Sequence, residues 1–157
     1  MRTLNDAAAT FLNLKRIAVA GVSRSQPDAA NLIYRKLRET GYQVFALNPH
    51  ANEIEGDPCY PNLQAIPGGV EGVVLATTPQ VTEQIVRECA QAGVRHVWMH
   101  RSLTSGSVSD EAVAYCQEHG IQVIPGACPM MFCEPVDFGH KCMRWLFNLT
   151  GRNPQKI

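Results

Sequence analysis

The chain has 157 residues, a length that suits one domain with a sizeable core. Apolar residues make up 45% of it and charged residues 18%, which is a globular rather than a disordered composition. Its 14 basic and 14 acidic residues cancel and no long basic block occurs, which argues against a nucleic-acid partner. No apolar run approaches the ~20 residues of a membrane span, and the first residues lack the apolar core of a signal peptide. We therefore expect one cytoplasmic domain over residues 1–157.

The apolar pattern predicts strands that alternate with helices. Strands are expected at 16–20, 42–47, 72–76, 95–99 and 121–124. Helices are expected at 3–12 with Thr3 as cap, about 28–40, 80–92, and from a cap at Ser107 or Ser109 to 119. In the third of these helices we expect Val81, Ile85, Val86 and Cys89 to face inward. This order, with short connections, predicts a doubly wound parallel α/β sheet, Rossmann-like, of about five strands with helices on both faces.

The segments outside this alternation are less regular. Residues 49–69 contain four prolines and are expected to form a loop, with a brief extended piece near Cys59 and a helical turn near Leu63. A final helix over about 137–150 carries an apolar stripe. We expect it either to cover the sheet or to form a homodimer contact. The stripe consists of Phe138, Cys142, Trp145, Leu146 and Leu149.

The loops after the predicted strands are the expected ligand site, because ligands of open parallel sheets bind at the strand carboxyl ends. In the first loop Gly21 permits a tight turn, and Ser23 and Ser25 supply hydroxyl groups. Arg24 adds a positive charge, and the N–H groups that begin the next helix favour an anion. This loop is therefore a candidate phosphate site.

The same loop lacks the marks of a dinucleotide dehydrogenase. Such dehydrogenases bind the dinucleotide with a G-x-G-x-x-G motif after the first strand and an acidic residue after the second strand. Here residues 21–26 keep one of the three glycines, and the second strand ends in Leu47, Asn48 and Pro49. An NAD(P)-dependent oxidoreductase with His100 as proton donor is thus disfavoured but remains the alternative enzyme hypothesis. A P-loop motif is absent too.

Five short motifs at the strand ends resemble a known family. The chain resembles the small stand-alone CoA-binding domain proteins, which are similar to the CoA-binding Rossmann domain of the succinyl-CoA synthetase alpha subunit. The resemblance covers roughly residues 10–130, and residues 132–151 depart from it. The motifs are Gly21-Val22-Ser23, Asn48-Pro49, Thr77-Thr78-Pro79, Val97-Trp98-Met99-His100 and Cys128-Pro129.

The resemblance implies a site for coenzyme A or an acyl-CoA across the strand ends. The phosphates would lie on the first loop, formed by Gly21, Val22, Ser23, Arg24, Ser25 and Gln26. The adenosine would be bordered by Asn48, Pro49 and His50. Thr77, Thr78 and Pro79 would line the cleft, and Met99, His100 and Arg101 the pantetheine side. The ribose of CoA carries a 3′-phosphate, so a CoA site does not need the acidic residue that binds ribose hydroxyl groups in dehydrogenases. This agrees with the absence of a carboxylate after the second strand.

The resemblance does not extend to catalysis. The synthetase's second domain, with its phosphorylated histidine, has no counterpart here, so ligase activity is not expected and no catalytic residue is assigned. We expect non-catalytic CoA binding, or alternatively an interaction subunit of a larger CoA-linked assembly. The sequence disfavours both a nucleophilic pair of Cys128 with His100 and a metal cluster of Cys128, Cys133, His140 and Cys142.

Overall fold

The computed structural model describes residues 2–25, 28–101, 103, 106–154 and 157. Its helices are α1 Leu4–Leu12, α2 Ala29–Glu39, α3 Pro79–Ala92, α4 Asp110–Glu118 and α5 Phe138–Leu149. Its strands are β1 Arg16–Ala20, β2 Gln43–Leu47, β3 Glu53–Ile54, β4 Asp57–Tyr60, β5 Gly72–Leu75, β6 His96–Met99 and β7 Gln122–Pro125. Short 3-10 turns occupy Leu63–Ala65 and Pro129–Met131. None of these helices combines the length and apolar character needed to cross a membrane.

The strands form one sheet in the order β3-β4-β2-β1-β5-β6-β7. All neighbours pair in parallel except β3 and β4, which form an antiparallel hairpin. The prediction of a doubly wound parallel α/β sheet is confirmed. The predicted number of strands was too low, because β3 was not expected and β4 was expected only as a brief extended piece near Cys59. The helical turn expected near Leu63 is confirmed. The chain leaves β1 toward β2 on one side and later returns to β5 on the other, so the order reverses beside β1.

The alternation of side chains along β1 divides the core into two halves. Ile17 and Val19 pack on the side of α1 and α2, whereas Ala18 and Ala20 pack on the side of α3 and α4. All four side chains are buried, which explains the continuous apolar run of a strand covered on both faces. The sheet is thus held rigidly between helices, and its carboxyl-end loops start from fixed positions.

The helices begin where side chains can satisfy their free N–H groups. Thr3 caps α1 as predicted, in a capping box with Asp6. The choice left open for α4 is settled in favour of Ser109, whose hydroxyl accepts from the Ala112 N–H group at 3.2 Å. Ser107 is instead fully buried, and its hydroxyl donates to the carbonyl oxygens of Leu75 and His100. It joins the ends of β5 and β6.

Of the two alternatives expected for the apolar stripe of α5, packing on the sheet is wrong, because the stripe is exposed. The residues of α5 that face inward are Met143 and Phe147, which pack on Cys128 and Met131. The predicted stripe lies on the opposite side of the helix, where its side chains are exposed. The 3.6-residue period predicted the helix correctly, but this helix has two apolar faces, and the period alone did not distinguish them.

Candidate functional site

A cavity of about 460 Å³ lies at the carboxyl ends of β1, β2 and β5, beside the reversal of strand order. Gly21 borders it after β1, and Thr77 borders it after β5. Helix α3 forms the opposite wall. The lining residues from the remaining segments are Asn48, Pro49 and His50 after β2, Pro61 and Asn62 after β4, and Val81, Gln84, Ile85 and Glu88 of α3.

A second cavity, of about 350 Å³, lies at the other end of the sheet. Phe11 of α1 and Ile124 of β7 contribute to its apolar wall, and His96 and Gln122, which begin β6 and β7, lie at its border. Ligands of open parallel sheets bind at the carboxyl ends of the strands. The cavity beside Gly21 is therefore the candidate site.

Gly21 allows the chain to leave β1 close to the end of β5. Its φ is +103°, and a Cβ atom built on it would lie 2.2 Å from the carbonyl oxygen of Ala76. No side chain fits such a space, and backbone cannot give way as a flexible side chain would. The glycine is therefore a steric requirement of the strand end, and it leaves main chain rather than side chain facing the cavity.

Asn31, a buried residue of α2, forms hydrogen bonds with the main chain of the loop after Gly21. The Asn31 Oδ1 atom accepts from the Ser23 N–H group at 3.0 Å, and its Nδ2 atom donates to the Ser23 carbonyl oxygen at 2.9 Å. The same Nδ2 atom donates to Glu55 Oε1 at 2.7 Å. Glu55 lies in the β3–β4 turn with a φ of +56°. The hairpin therefore supports the candidate phosphate loop through one amide group.

Asn48 supports the same loop from β2. Its Nδ2 atom donates to the Val22 carbonyl oxygen at 3.0 Å, and its Oδ1 atom accepts from the His50 N–H group at 2.8 Å. Its own N–H group donates to the carbonyl oxygen of Tyr60 at 3.0 Å. The Asn48 side chain thus fixes the geometry of two loops that border the cavity, while Pro49 and His50 are exposed at its rim.

The third loop begins α3. The hydroxyl oxygens of Thr77 and Thr82 lie 2.9 Å apart, and Thr82 is fully buried. Thr78 occupies the N-cap position of α3 without a side-chain cap bond, and Pro79 follows at the first helical position. Val81, expected to face inward, instead lies partly exposed at the cavity wall. The expectation for Val86 and Cys89 is confirmed, since both are buried.

The N–H groups at the start of α2, expected to bind an anion, are partly occupied by a side chain of the protein itself. The carboxylate of Asp28 accepts from the Ala30 N–H group at 3.0 Å and so caps the helix. It occupies part of the positive helix end that a phosphate was expected to use. Arg24 and Ser25 are both exposed in the preceding loop. The start of α2 is therefore less available to an anion than the sequence predicted.

The loop after β6 places its three predicted residues differently. The Met99 side chain is fully buried in the core beside α3 and α4, like that of Val22 on the other face. His100 is 7% exposed, and this burial lowers its pKa, while the carboxylate of Asp28 acts in the opposite direction. Arg101 donates from Nη2 to the carbonyl oxygen of Arg152 at 2.6 Å. The ionisation of His100 is thus coupled to Asp28 at the start of α2.

Cys128 lies in the loop after β7 and packs against the C-terminal helix. Its side chain is buried with Met131 and Phe147 under α5. Burial raises the pKa of its thiol to about 11, although the N–H groups of Met130 and Met131 act in the opposite direction. The thiol is therefore protonated at neutral pH and is a weak nucleophile. Within the described residues, no group of three or more His, Cys, Asp or Glu side chains could hold a metal ion.

The structure thus brings together one part of the predicted site. Gln26 lies outside the described residues. Sequence reasoning missed Asn31 and Glu55, which act through Ser23, although an asparagine on the apolar side of α2 was a signal for the former. It also missed the α3 wall. The predicted residues that line the cavity are Gly21, Asn48, Pro49, His50 and Thr77.

Comparison with known proteins adds to this geometry. The family model of the CoA binding domain matches residues 15–134. An ADP-forming acetate–CoA ligase I of Archaeoglobus fulgidus is 26% identical over 120 residues. That match covers 73% of this chain but only 18% of the ligase.

Solved structures with a similar fold cover most of this chain. A hypothetical protein from Pyrococcus horikoshii OT3 aligns with a TM-score of 0.76 and 28% identity over 87% of this chain and 96% of that chain. A dinucleotide-forming acetyl-coenzyme A synthetase 1 of Ca. Korarchaeum cryptofilum, solved with phosphate and ADP, aligns with a TM-score of 0.63 and 27% identity. It is matched over 77% of this chain and 27% of that chain.

Proposed function

Because the chain belongs to the CoA binding domain family, we propose that it binds coenzyme A or an acyl-CoA in the cavity at the carboxyl ends of β1, β2 and β5. The observation that carries the proposal is that the strand-end loops at Gly21, Asn48 and Thr77 border one cavity of about 460 Å³. That volume lies within the range of small-molecule sites, about 300–1,000 Å³.

In this proposal each loop contacts a different part of the ligand. The phosphates lie on the loop from Gly21 to Gln26, where Arg24 supplies the positive charge. The adenosine lies between Asn48–His50 and the α3 wall. Thr77 lines the cleft, Thr78 and Pro79 begin α3 beside it, and the pantetheine arm passes the loop of Met99, His100 and Arg101. Because the side chain of Met99 is buried, this residue would contribute main chain only.

We propose binding rather than catalysis. The chain spans 18% of the A. fulgidus ligase, so the activity of that longer protein is not transferred to it. The protonated, buried thiol of Cys128 also disfavours thiol chemistry near the strand ends. A cytoplasmic location remains part of the proposal, as does a homodimer contact through the C-terminal helix.

Calorimetric titration of the full chain tests the proposal. CoA is expected to bind saturably and more tightly than NADPH, the ligand of the alternative oxidoreductase hypothesis. Arg24→Ala is expected to weaken CoA binding about tenfold, the loss of one charge-assisted contact. The matched control is Arg95→Ala, which removes the same charge near the amino end of β6.

Two results would overturn this function. One is the absence of heat and of any thermal shift with millimolar CoA on ligand-free, folded protein. The other is NADPH binding that is tighter than CoA binding. If Arg24→Ala and Arg95→Ala weaken CoA binding equally, the assignment of the phosphates to the first loop is wrong.

A further inference from the structure

The outer face of α5 is a continuous apolar stripe on a helix whose inner face is already packed. Its large side chains are Phe138, 82% exposed, Trp145, 67% exposed, and Leu149, 66% exposed. The thiol-bearing residue Cys142 is exposed between them. Their spacing of four, three and four residues is that of a helix–helix seam. Leu146, 49% exposed, widens the stripe on one side.

The stripe is large enough to form the centre of a dimer interface. With side-chain areas of about 150–250 Å² for aromatic residues, its exposed apolar surface is about 500 Å² per copy. A standard interface buries about 800 Å² per partner, with an apolar centre and a polar rim. The aliphatic part of Lys141 and the amide of Asn148 lie beside the stripe and can supply such a rim.

We propose that two copies of the chain associate through α5, with the two helices antiparallel about a twofold axis. In this arrangement Phe138 lies opposite Leu149 of the second copy, and Cys142 lies opposite Trp145 of the second copy. Each large side chain then meets an apolar one, so the surface is complementary to itself, as an isologous interface requires.

The helix dipoles favour the antiparallel direction, because an antiparallel pair places opposite ends of the two dipoles together. In this pair Lys141 lies near Asn148 of the second copy, so its positive charge meets an uncharged side chain at the rim.

This inference rests on the proposed contact through α5 and is independent of CoA binding, so the two proposals fail separately. Sedimentation velocity of the full chain is expected to show a reversible dimer with a dissociation constant of about 1–10 µM. Leu149→Asp is expected to raise that constant at least about tenfold. Leu103→Asp, at a leucine that is 67% exposed on another loop, is the matched control and is expected to leave it unchanged.

Disulfide trapping tests the direction of the helices. In a Cys142→Ser background, the double variant Phe138→Cys with Leu149→Cys is expected to form a covalent dimer on mild oxidation. Phe138→Cys alone is expected to remain uncrosslinked. Efficient crosslinking of that single variant would establish a parallel pair and overturn the antiparallel arrangement. A wild-type chain that remains a monomer at about 100 µM would overturn the dimer itself, whatever the variants do.

Discussion

Asn31 binds the main chain of Ser23 through two hydrogen bonds, accepting from its N–H group at 3.0 Å and donating to its carbonyl oxygen at 2.9 Å. The amide is 1% exposed, so each bond is protected from water. Its third bond, to Glu55 Oε1 at 2.7 Å, connects α2, the β3–β4 hairpin and the loop after β1. In the proposed CoA site, this amide sets the shape of the phosphate loop before a ligand arrives.

Asn31→Ala is expected to lower both stability and affinity. Two main-chain groups of Ser23 lose their buried partner, which costs about 1–3 kcal/mol of the free energy of unfolding. We also expect CoA to bind at least about tenfold more weakly, because the loop is no longer held in one conformation. Urea denaturation and calorimetry measure the two effects separately.

Variants of Glu55 provide the control for this prediction. Glu55→Gln keeps an oxygen acceptor for the Asn31 Nδ2 atom and is expected to retain most of the affinity, whereas Glu55→Ala removes the acceptor and is expected to reduce it. Wild-type CoA affinity in a folded Asn31→Ala protein would show that the amide does not position the site.

A pair of glycine variants isolates the steric requirement at Gly21. Gly21 and Gly41 both have a left-handed φ, +103° and +93°, but a Cβ at Gly41 meets nothing within 4 Å. Gly41→Ala is expected to cost about 1–2 kcal/mol for its backbone conformation alone. Gly21→Ala adds a clash with the Ala76 carbonyl oxygen and is expected to cost more and to abolish CoA binding. Equal losses of the free energy of unfolding would contradict the close approach of β1 and β5.

The sequence predicted the elements that long apolar patterns encode. The run of Ile17 to Ala20 is apolar because both faces of β1 are covered, and such runs identify parallel strands. β3 was missed because it has two residues, and β4 was predicted only as a brief extended piece near Cys59 because Pro58 interrupts its pattern. Strands this short carry little periodic signal.

The candidate site was predictable only in part for a related reason. Glycines and polar residues that directly follow a predicted strand can be placed at the carboxyl end of the sheet from the sequence alone. Gly21, Asn48 and Thr77 are such residues. Asn31 and Glu88 lie inside helices, and their approach to the strand ends depends on how those helices pack. The two apolar faces of α5 present the same difficulty. The spacing of apolar residues predicts a helix, but it does not indicate which of the two faces packs against the core.

Thiol reactivity tests the placement of the cysteines. Cys142 is exposed, whereas Cys59, Cys89, Cys116, Cys128 and Cys133 are buried. Burial also raises the pKa of Cys116 and of Cys128 to about 11, so these thiols are protonated at neutral pH. We expect a maleimide to modify Cys142 first in the native protein, and the others only after unfolding. Cys142→Ser should remove the fast phase; fast labelling of Cys128 in that variant would contradict its buried position.

The pH dependence of stability provides a test of His100. Burial lowers its pKa in the folded protein, so the unfolded chain takes up the proton first as the pH falls. The contribution of His100 is therefore complete above the ordinary pKa of about 6.5 and decreases as the pH falls through the window below it. His96, whose pKa is lowered by burial and by Arg2, acts in the same direction.

We therefore expect His100→Gln to lose less of its free energy of unfolding than the wild-type protein does between about pH 7 and pH 5. Urea denaturation at several pH values measures this difference, and an overall loss of stability in the variant does not affect the comparison of slopes. Identical pH dependence in the two proteins would show that the His100 imidazole is not desolvated in the folded state.

The most direct test of the central claim is amide chemical-shift mapping of the isotope-labelled, ligand-free chain during titration with CoA. Saturable shifts are expected at Gly21, Asn48, His50 and Thr77 and along the cavity-facing turns of α3. The cavity between α1 and β7 is expected to remain unchanged. Shifts confined to that second cavity, or no shifts with millimolar CoA, would contradict a CoA site at the carboxyl ends of β1, β2 and β5.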